Sequence, residues 1–282
     1  MISPAIKNSV RAALEEDVGS GDLTALLVPE GRASAVLITR EDGVLCGQAW
    51  FDETFHQLGK HVDIQWQVAD AERVHAGDTL CTLTGPARVL LTGERTAINF
   101  LQTLSGTATV ARQYADSVAH TKAQVLDTRK TLPGLRAAQK YAVRCGGCGN
   151  HRLGLYDGVL IKENHIVAAG SVTAALRHAH IIAAGKMIEI EVETLAQLKE
   201  AIVAKAPRVL LDNFSLAELR EAVQYADGRV LLEASGGITL DNIAAQAETG
   251  VDFLSVGDLT KSIRALDMSM RLGPVSEHQA HT

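Results

Sequence analysis

Aromatic residues fill only 4% of the 282 positions, and the chain holds just 6 prolines and 4 cysteines. A core with so few rings is packed from aliphatic side chains, and so few cysteines exclude a small disulfide-stapled scaffold. No stretch approaches the roughly 18 uncharged apolar residues that a membrane-spanning helix needs. A positive excess is also missing: 27 Lys and Arg against 33 Asp and Glu give a net charge of −6, which argues against a general nucleic-acid binder. The opening MISPAIKNSVRAALEED is amphipathic, with no apolar run and no small-residue cleavage site, so the expected compartment is the cytoplasm, with reduced thiols. In quantity there are 46% hydrophobic residues and 24 glycines, the balance of a globular chain with one large domain or two.

The acidic average hides a basic window. From Arg129 to Lys162 there are seven Lys and Arg against one acid, Asp157, so the window carries +6 and the remainder −12. Such a concentration in an acidic protein suits a small anionic ligand. Arg136, Lys140 and Arg144, spaced by four, read more simply as the solvated face of a helix.

The chain divides near Ser105-Gly106. Before that point, short strands at 33–40, 43–48, 62–68 and 75–85 mix with helices to about Asp17, over 50–58 and over 94–106, the last ending at a glycine. After it, an apolar strand with a polar or glycine-bearing end alternates with an amphipathic segment. The strand ends are VLDTRK (125–130), VLIKEN (159–164), IEIEVE (188–193), VLLDNF (209–214), LLEASGG (231–237) and FLSVGD (253–258). This rhythm predicts βαβ units around a parallel sheet, and six units predict an incomplete α/β barrel. The predicted domains are an N-terminal, sandwich-like α/β domain over 1–105, with 266–282 packed against it, and a barrel over 106–265. The tail VSEHQAHT is expected to fray.

Chemistry in such folds sits at the C-terminal strand ends. Arg129 offers a planar fork for carboxylate or phosphate, and Lys130 a point charge. His151 and Arg152 follow a glycine-rich turn, and Lys162 ends a strand, aimed at the barrel mouth, where it can pair with an anion or form a Schiff base. Glu189, Glu191 and Glu193 alternate along one strand face, and an inward face would set them against these cations. Glu191 and Asp212 could hold sugar hydroxyls or Mg²⁺. The loops SGGI (235–238) and SVGD (255–258) follow the last two strands, where barrels place phosphate. Cys145-Gly-Gly-Cys148 with His151 raises a zinc or redox site, but Cys46 and Cys81 form no second C-x-x-C.

In this order DTRKTLPGLRAAQKYAVRCGG, NHRLGLYDGVLIKENHI, EIEVET, LLDNF, EASGGI and FLSVGDLT, with EEDVGSGDLT (15–24) and GERTAINFLQTLSG (93–106) upstream, closely resemble the quinolinate phosphoribosyltransferase family. The resemblance spans nearly the whole chain. It implies a homodimeric, Mg²⁺-dependent pentosyltransferase of NAD biosynthesis that joins quinolinate to phosphoribosyl pyrophosphate and releases pyrophosphate and CO₂. It implies that Arg129, His151, Arg152 and Lys162 surround the dicarboxylate, with Arg95 arriving from the partner subunit. Lys130 would help bind the phosphoribosyl substrate, and Thr128 would be among the substrate-binding residues. Lys162, Glu191 and Asp212 would be catalytic, with Glu191 and Asp212 holding ribose hydroxyls and metal, directly or through water. Ser235-Gly236-Gly237 and Ser255-Val256-Gly257 would cradle the 5′-phosphate. The rival within the resemblance is a transferase of the molybdate-transport-associated type with another acceptor, and Lys162 in LIKENHI favours quinolinate. One departure stands out: Cys148 occupies a position where the family usually has a third glycine. A left-handed backbone there would strain a cysteine.

Overall fold

A computed structural model of the chain describes residues 3–59, 61–274 and 276–277. It contains two compact units, one made of 1–110, 132–146 and 263–282, the other of 111–131 and 147–262.

In the first unit α1 (Pro4–Val18) starts at Ser3, whose hydroxyl accepts the Ala5 N–H, with Pro4 in its first turn. There follow β1 (Gly31–Thr39), β2 (Gly43–Val44), α2 (Gln48–Gln57), β3 (Asp63–Trp66), β4 (Arg73–Val74) and β5 (Thr79–Pro86). Next comes α3 (Ala87–Val118), which belongs to the first unit through Val110 and to the second from Ala111. The helix expected over 94–106 is therefore longer at both ends. Gly106 does not stop it: a Cβ there would lie 2.1 Å from the Arg264 carbonyl, so this glycine serves a close backbone approach.

The second unit holds β6 (Gln124–Leu126). α4 (Arg136–Cys145) returns to the first unit. The second unit then continues with β7 (Gly158–Ile161), α5 (Glu163–Ala169), α6 (Val172–Ile182), β8 (Met187–Val192) and α7 (Leu195–Val203). It is completed by β9 (Arg208–Asp212), α8 (Leu216–Ala226), β10 (Leu231–Ser235), α9 (Ile243–Ala247), β11 (Phe253–Ser255) and α10 (Asp258–Lys261). β12 (Met268–Leu272) and β13 (Ser276–Glu277) lie again in the first unit.

The first unit's antiparallel sheet has the order β12-β1-β5-β3, with β13 also on β1. Alternate residues of β1 (Ala33, Ala35, Leu37) and β5 (Cys81, Leu83) face a core completed by Leu80, Phe51, Phe55, Leu90, Ile98 and Leu101. Ser276 and Glu277 pair with Arg32 and Gly31, so part of the tail expected to fray is a strand. Val275 and 278–282 lie outside the described residues. On α4 the expected solvated face is broken at its centre: Arg144 is exposed and Arg136 half-buried, but Lys140 is 1% exposed, and Ala138 and Ala142 pack in a cluster with Val10, Leu14 and Trp50.

The second unit's six-stranded sheet is parallel, in the order β6-β11-β10-β9-β8-β7. β6 and β7 stand at opposite ends, so the barrel is incomplete. Three of its helices, α6, α7 and α8, start on side-chain caps: the Ser171 hydroxyl accepts the Ala174 N–H, the Thr194 hydroxyl the Gln197 N–H, and Ser215 and Glu218 form a capping box. The Thr194 and Ser215 caps restart the chain as helix within a few residues of the ends of β8 and β9, neighbouring parallel strands whose ends lie on one face. No helix among the described residues is long and apolar enough to cross a membrane.

Candidate active site

A cavity of about 180 Å³ opens at the C-terminal strand ends of the second unit. It is lined by Thr128, Arg129 and Lys130 after β6, by His151 and Arg152, and by Leu160 and Lys162 of the β7 region. Glu191, Leu210, Glu233, Ser235 and Ser255 complete it. Of the residues singled out in the sequence, nine line this space. Asp212, half-buried at the end of β9, and the turn residues Gly236, Gly237, Val256 and Gly257 do not, and neither does Arg95, exposed on α3 in the first unit.

The segment bearing His151 and Arg152 is held as a short extension of the sheet. Gly149 donates to the Val125 carbonyl at 2.8 Å and bridges Leu126 in parallel. Asp127, fully buried, accepts the His151 N–H at 2.9 Å and Asn150 Nδ2 at 2.7 Å. Cys148 does not have the positive φ that would strain it; Gly147, at +90°, does. The Cys148 thiol is buried and donates to the Ala111 carbonyl at 3.1 Å. The single metal-spaced group of side chains among the described residues contains no cysteine.

Arg152 donates to the Gly158 carbonyl at 3.0 Å, and its guanidinium is pushed down in pKa first by burial and then by the charge of Arg129. Two guanidinium groups that repel one another in a partly dry cleft are stabilised by an anion placed between them. Lys130 is fixed along its backbone: its N–H reaches the Thr128 hydroxyl at 3.0 Å and its carbonyl accepts from Thr260 at 2.8 Å. Its stem lies 3.2 Å from where a Cβ of Gly257 would stand. Lys162 caps α5, its N–H donating to His165 Nδ1 at 2.9 Å, and its ammonium meets Glu191 at 2.5 Å. Burial and the Glu191 carboxylate both raise Asp212, while Asn213 donates to it at 2.9 Å.

The phosphate turns differ from one another. Gly236 has φ +99°, and a Cβ there would lie 2.1 Å from Asn213 Oδ1, so this turn requires glycine. In the other turn the Val256 N–H is spent on the Leu126 carbonyl. Ser255 Oγ, buried and without a hydrogen-bond partner among the described residues, is the polar side-chain atom that this turn brings to the cavity.

Below the rim lies a buried layer of charge that was only partly legible. Glu189 and Glu191 face inward together, but Glu193 falls beyond β8 and is exposed. Glu189 accepts from His151 Nε2 at 2.7 Å, and Arg208, at the start of β9, pairs with both Glu189 and Glu233. The Arg208 guanidinium stacks 3.9 Å from the Phe253 ring centre. Burial opposes ionisation of Glu189, yet the His151 hydrogen bond and the Arg208 charge hold its carboxyl below the usual range. Glu233 is driven well up by burial and by the charge of Glu189. Ligand atoms of His151, Glu189 and Glu233 lie within 4.8 Å of one another, a metal-like spacing, but the guanidinium already supplies the cation. Glu191 and Asp212 are the better fit for a hard divalent ion. Their donors are carboxylate oxygens, Glu191 lining the cavity and Asp212 at the end of β9, and burial together with the Glu191 charge raises Asp212.

A cationic cavity at the C-terminal ends of a parallel sheet makes this an α/β-barrel enzyme of the kind that takes anionic substrates. The chain belongs to the quinolinate phosphoribosyl transferase family, whose N-terminal domain matches residues 22–105 and whose C-terminal domain matches 107–271. It is 47% identical over 279 residues to a Mycobacterium leprae protein named nicotinate-nucleotide pyrophosphorylase [carboxylating], covering 95% of this chain and 97% of that one. A Bacillus subtilis protein named as a probable enzyme of the same type is 43% identical, covering 90% of this chain and 89% of its own. The solved nicotinate-nucleotide pyrophosphorylase of Francisella tularensis superposes with a TM-score of 0.94 at 48% identity, covering 95% and 96% of the two chains. Nothing in these likenesses supports a molybdate-transport-associated transferase.

Proposed function

We propose that this chain transfers the phosphoribosyl group of phosphoribosyl pyrophosphate to quinolinate, with loss of CO₂, giving nicotinate mononucleotide and pyrophosphate for NAD biosynthesis. It does so in the cytoplasm as a homodimer, with Arg95 contributed to the partner's site. The observation that carries this reading is the convergence of Arg129, Lys130, Arg152 and Lys162 on one cavity, with Arg129 close enough to disfavour the charge of Arg152. A dicarboxylate and a polyphosphate together need such an excess.

In this reading Arg129 and Arg152 fork the quinolinate carboxylates and Lys162 adds a point charge, with His151 beside them. Lys130 and Thr128 hold the phosphoribosyl substrate, and the turns 235–237 and 255–257 receive its 5′-phosphate, with Ser255 Oγ as a donor. Glu191 and Asp212 hold the ribose hydroxyls and Mg²⁺, which when bound neutralises the pyrophosphate leaving group. As the pyrophosphate departs, C1 of the ribose gains positive charge and the same two carboxylates stabilise it. Ribosylation makes the ring nitrogen cationic, and that electron demand drives decarboxylation. Positioning and electrostatics suffice, and no covalent enzyme intermediate is required.

The test is an assay of purified protein with quinolinate, phosphoribosyl pyrophosphate and Mg²⁺, following nicotinate mononucleotide and pyrophosphate, beside a parallel reaction with nicotinate. Product from quinolinate alone is expected. Folded protein that yields product from neither would assign the cavity to another anionic acceptor.

A further inference from the structure

The sequence marks His151 as a group that meets the dicarboxylate, but the structure leaves its ring no nitrogen for that task. Nδ1 accepts the Arg152 backbone N–H at 2.7 Å, so it carries no proton. Nε2 lies 2.7 Å from Glu189 Oε2, and with Nδ1 bare it is the donor. An imidazolium would set a second N–H against the Arg152 amide, donor against donor. The carboxylate that fixes this arrangement is in turn clamped by Arg208, which also holds Glu233. Both acids are fully buried.

We propose that Glu189, locked by Arg208, fixes His151 as the neutral Nε2–H tautomer, so that His151 faces the ligand as an uncharged ring while Glu189 and Arg208 act as positioning residues for dicarboxylate recognition. The ring transmits this to the neighbouring side chain. It receives the Arg152 amide on one side, Asp127 receives the His151 amide at 2.9 Å on the other, and Arg152 reaches the Gly158 carbonyl. The backbone that launches the Arg152 guanidinium is therefore set from the barrel floor. Charge recognition falls to Arg129, Arg152 and Lys162.

The kinetic consequence rests on quinolinate being the acceptor; the tautomer does not. Two-bond ¹H–¹⁵N spectra of imidazole-labelled protein near neutral pH, with His151 assigned by its loss in His151→Gln, should show the Nε2–H pattern. An Nδ1–H or imidazolium pattern overturns the proposal. In kinetics, Glu189→Leu leaves a neutral Arg208–Glu233 pair but removes the acceptor. It should raise the KM for quinolinate about tenfold, with the KM for phosphoribosyl pyrophosphate within about twofold. Glu189→Gln keeps an acceptor oxygen and should recover most of the loss. A Leu variant with wild-type kinetics, or one in which both KM values rise together without rescue by Gln, overturns the positioning role. Should the Leu variant fail to fold, the wild-type spectrum decides. Should the wild type release no pyrophosphate with quinolinate, the acceptor assignment fails instead, and the spectrum still tests the tautomer.

Discussion

Glu189 and Glu191 lie two residues apart on one face of β8, yet they belong to different media. At the rim, Glu191 meets a Lys162 whose side chain is 51% exposed. At the floor, Glu189 and Glu233, both 0% exposed, share an Arg208 that is 11% exposed. An ion pair open to water is worth about 0–1 kcal/mol, so its members can be exchanged for the charges of a ligand at little cost. A buried pair cannot open in that way, because the charge left behind has neither water nor partner. The rim is therefore fitted to bind and release anions, and the floor to hold geometry.

Substitutions on either side sharpen this contrast. Arg208→Ala strands the buried Glu189 carboxylate beside Glu233 and should cost about 3–5 kcal/mol of stability, read as the loss of urea midpoint at constant slope. A shift below about 1 kcal/mol would show that water already reaches this layer, and the distinction between floor and rim would collapse. Arg152→Ala removes a rim group with a charged hydrogen-bonding role. It should lower kcat/KM for quinolinate roughly 10- to 100-fold through KM, with an unfolding midpoint within about 1 kcal/mol of wild type. Unchanged kinetics would remove Arg152 from the site, and a large stability loss would make it part of the floor.

The rim was legible in the sequence and the floor largely was not. Strand ends such as VLDTRK and VLIKEN announce their charges by placing them after apolar runs, and a parallel sheet brings all such ends to one face. The floor depends instead on register between strands remote in sequence. Glu233 stands opposite Leu210 and Phe253, and within LLEASGG nothing marks it as the partner of an arginine at the opposite end of RVLLD. The role of Asp127 was hidden for a similar reason. It lies beside Arg129 in the same motif, but its task is to hold the amide of His151, 24 residues away. The length of α3 was misread because Gly106 resembles a stop signal, whereas the cause of that glycine is the Arg264 carbonyl pressed against it.

The smallest expected effect concerns Cys148, where the resemblance leads one to expect a third glycine. Gly147 takes the left-handed backbone of the turn, so Cys148 needs only to be small and buried and to donate one hydrogen bond, which it does to the Ala111 carbonyl. Serine supplies the same donor in less volume. Cys148→Ser should therefore cost no more than about 1 kcal/mol and leave kcat and both KM values within about twofold, measured by urea unfolding and steady-state kinetics on one preparation. Cys148→Gly, which places there the glycine that the resemblance leads one to expect, should cost a further 0.5–1 kcal/mol or so by loosening the unfolded chain and emptying the thiol's place. The turn is then set by Gly147 alone, and the segment it launches keeps its place beside β6. Loss of most activity in a folded Cys148→Ser variant would contradict this, because it would mean that the sulfur itself takes part in holding His151 and Arg152 over the floor.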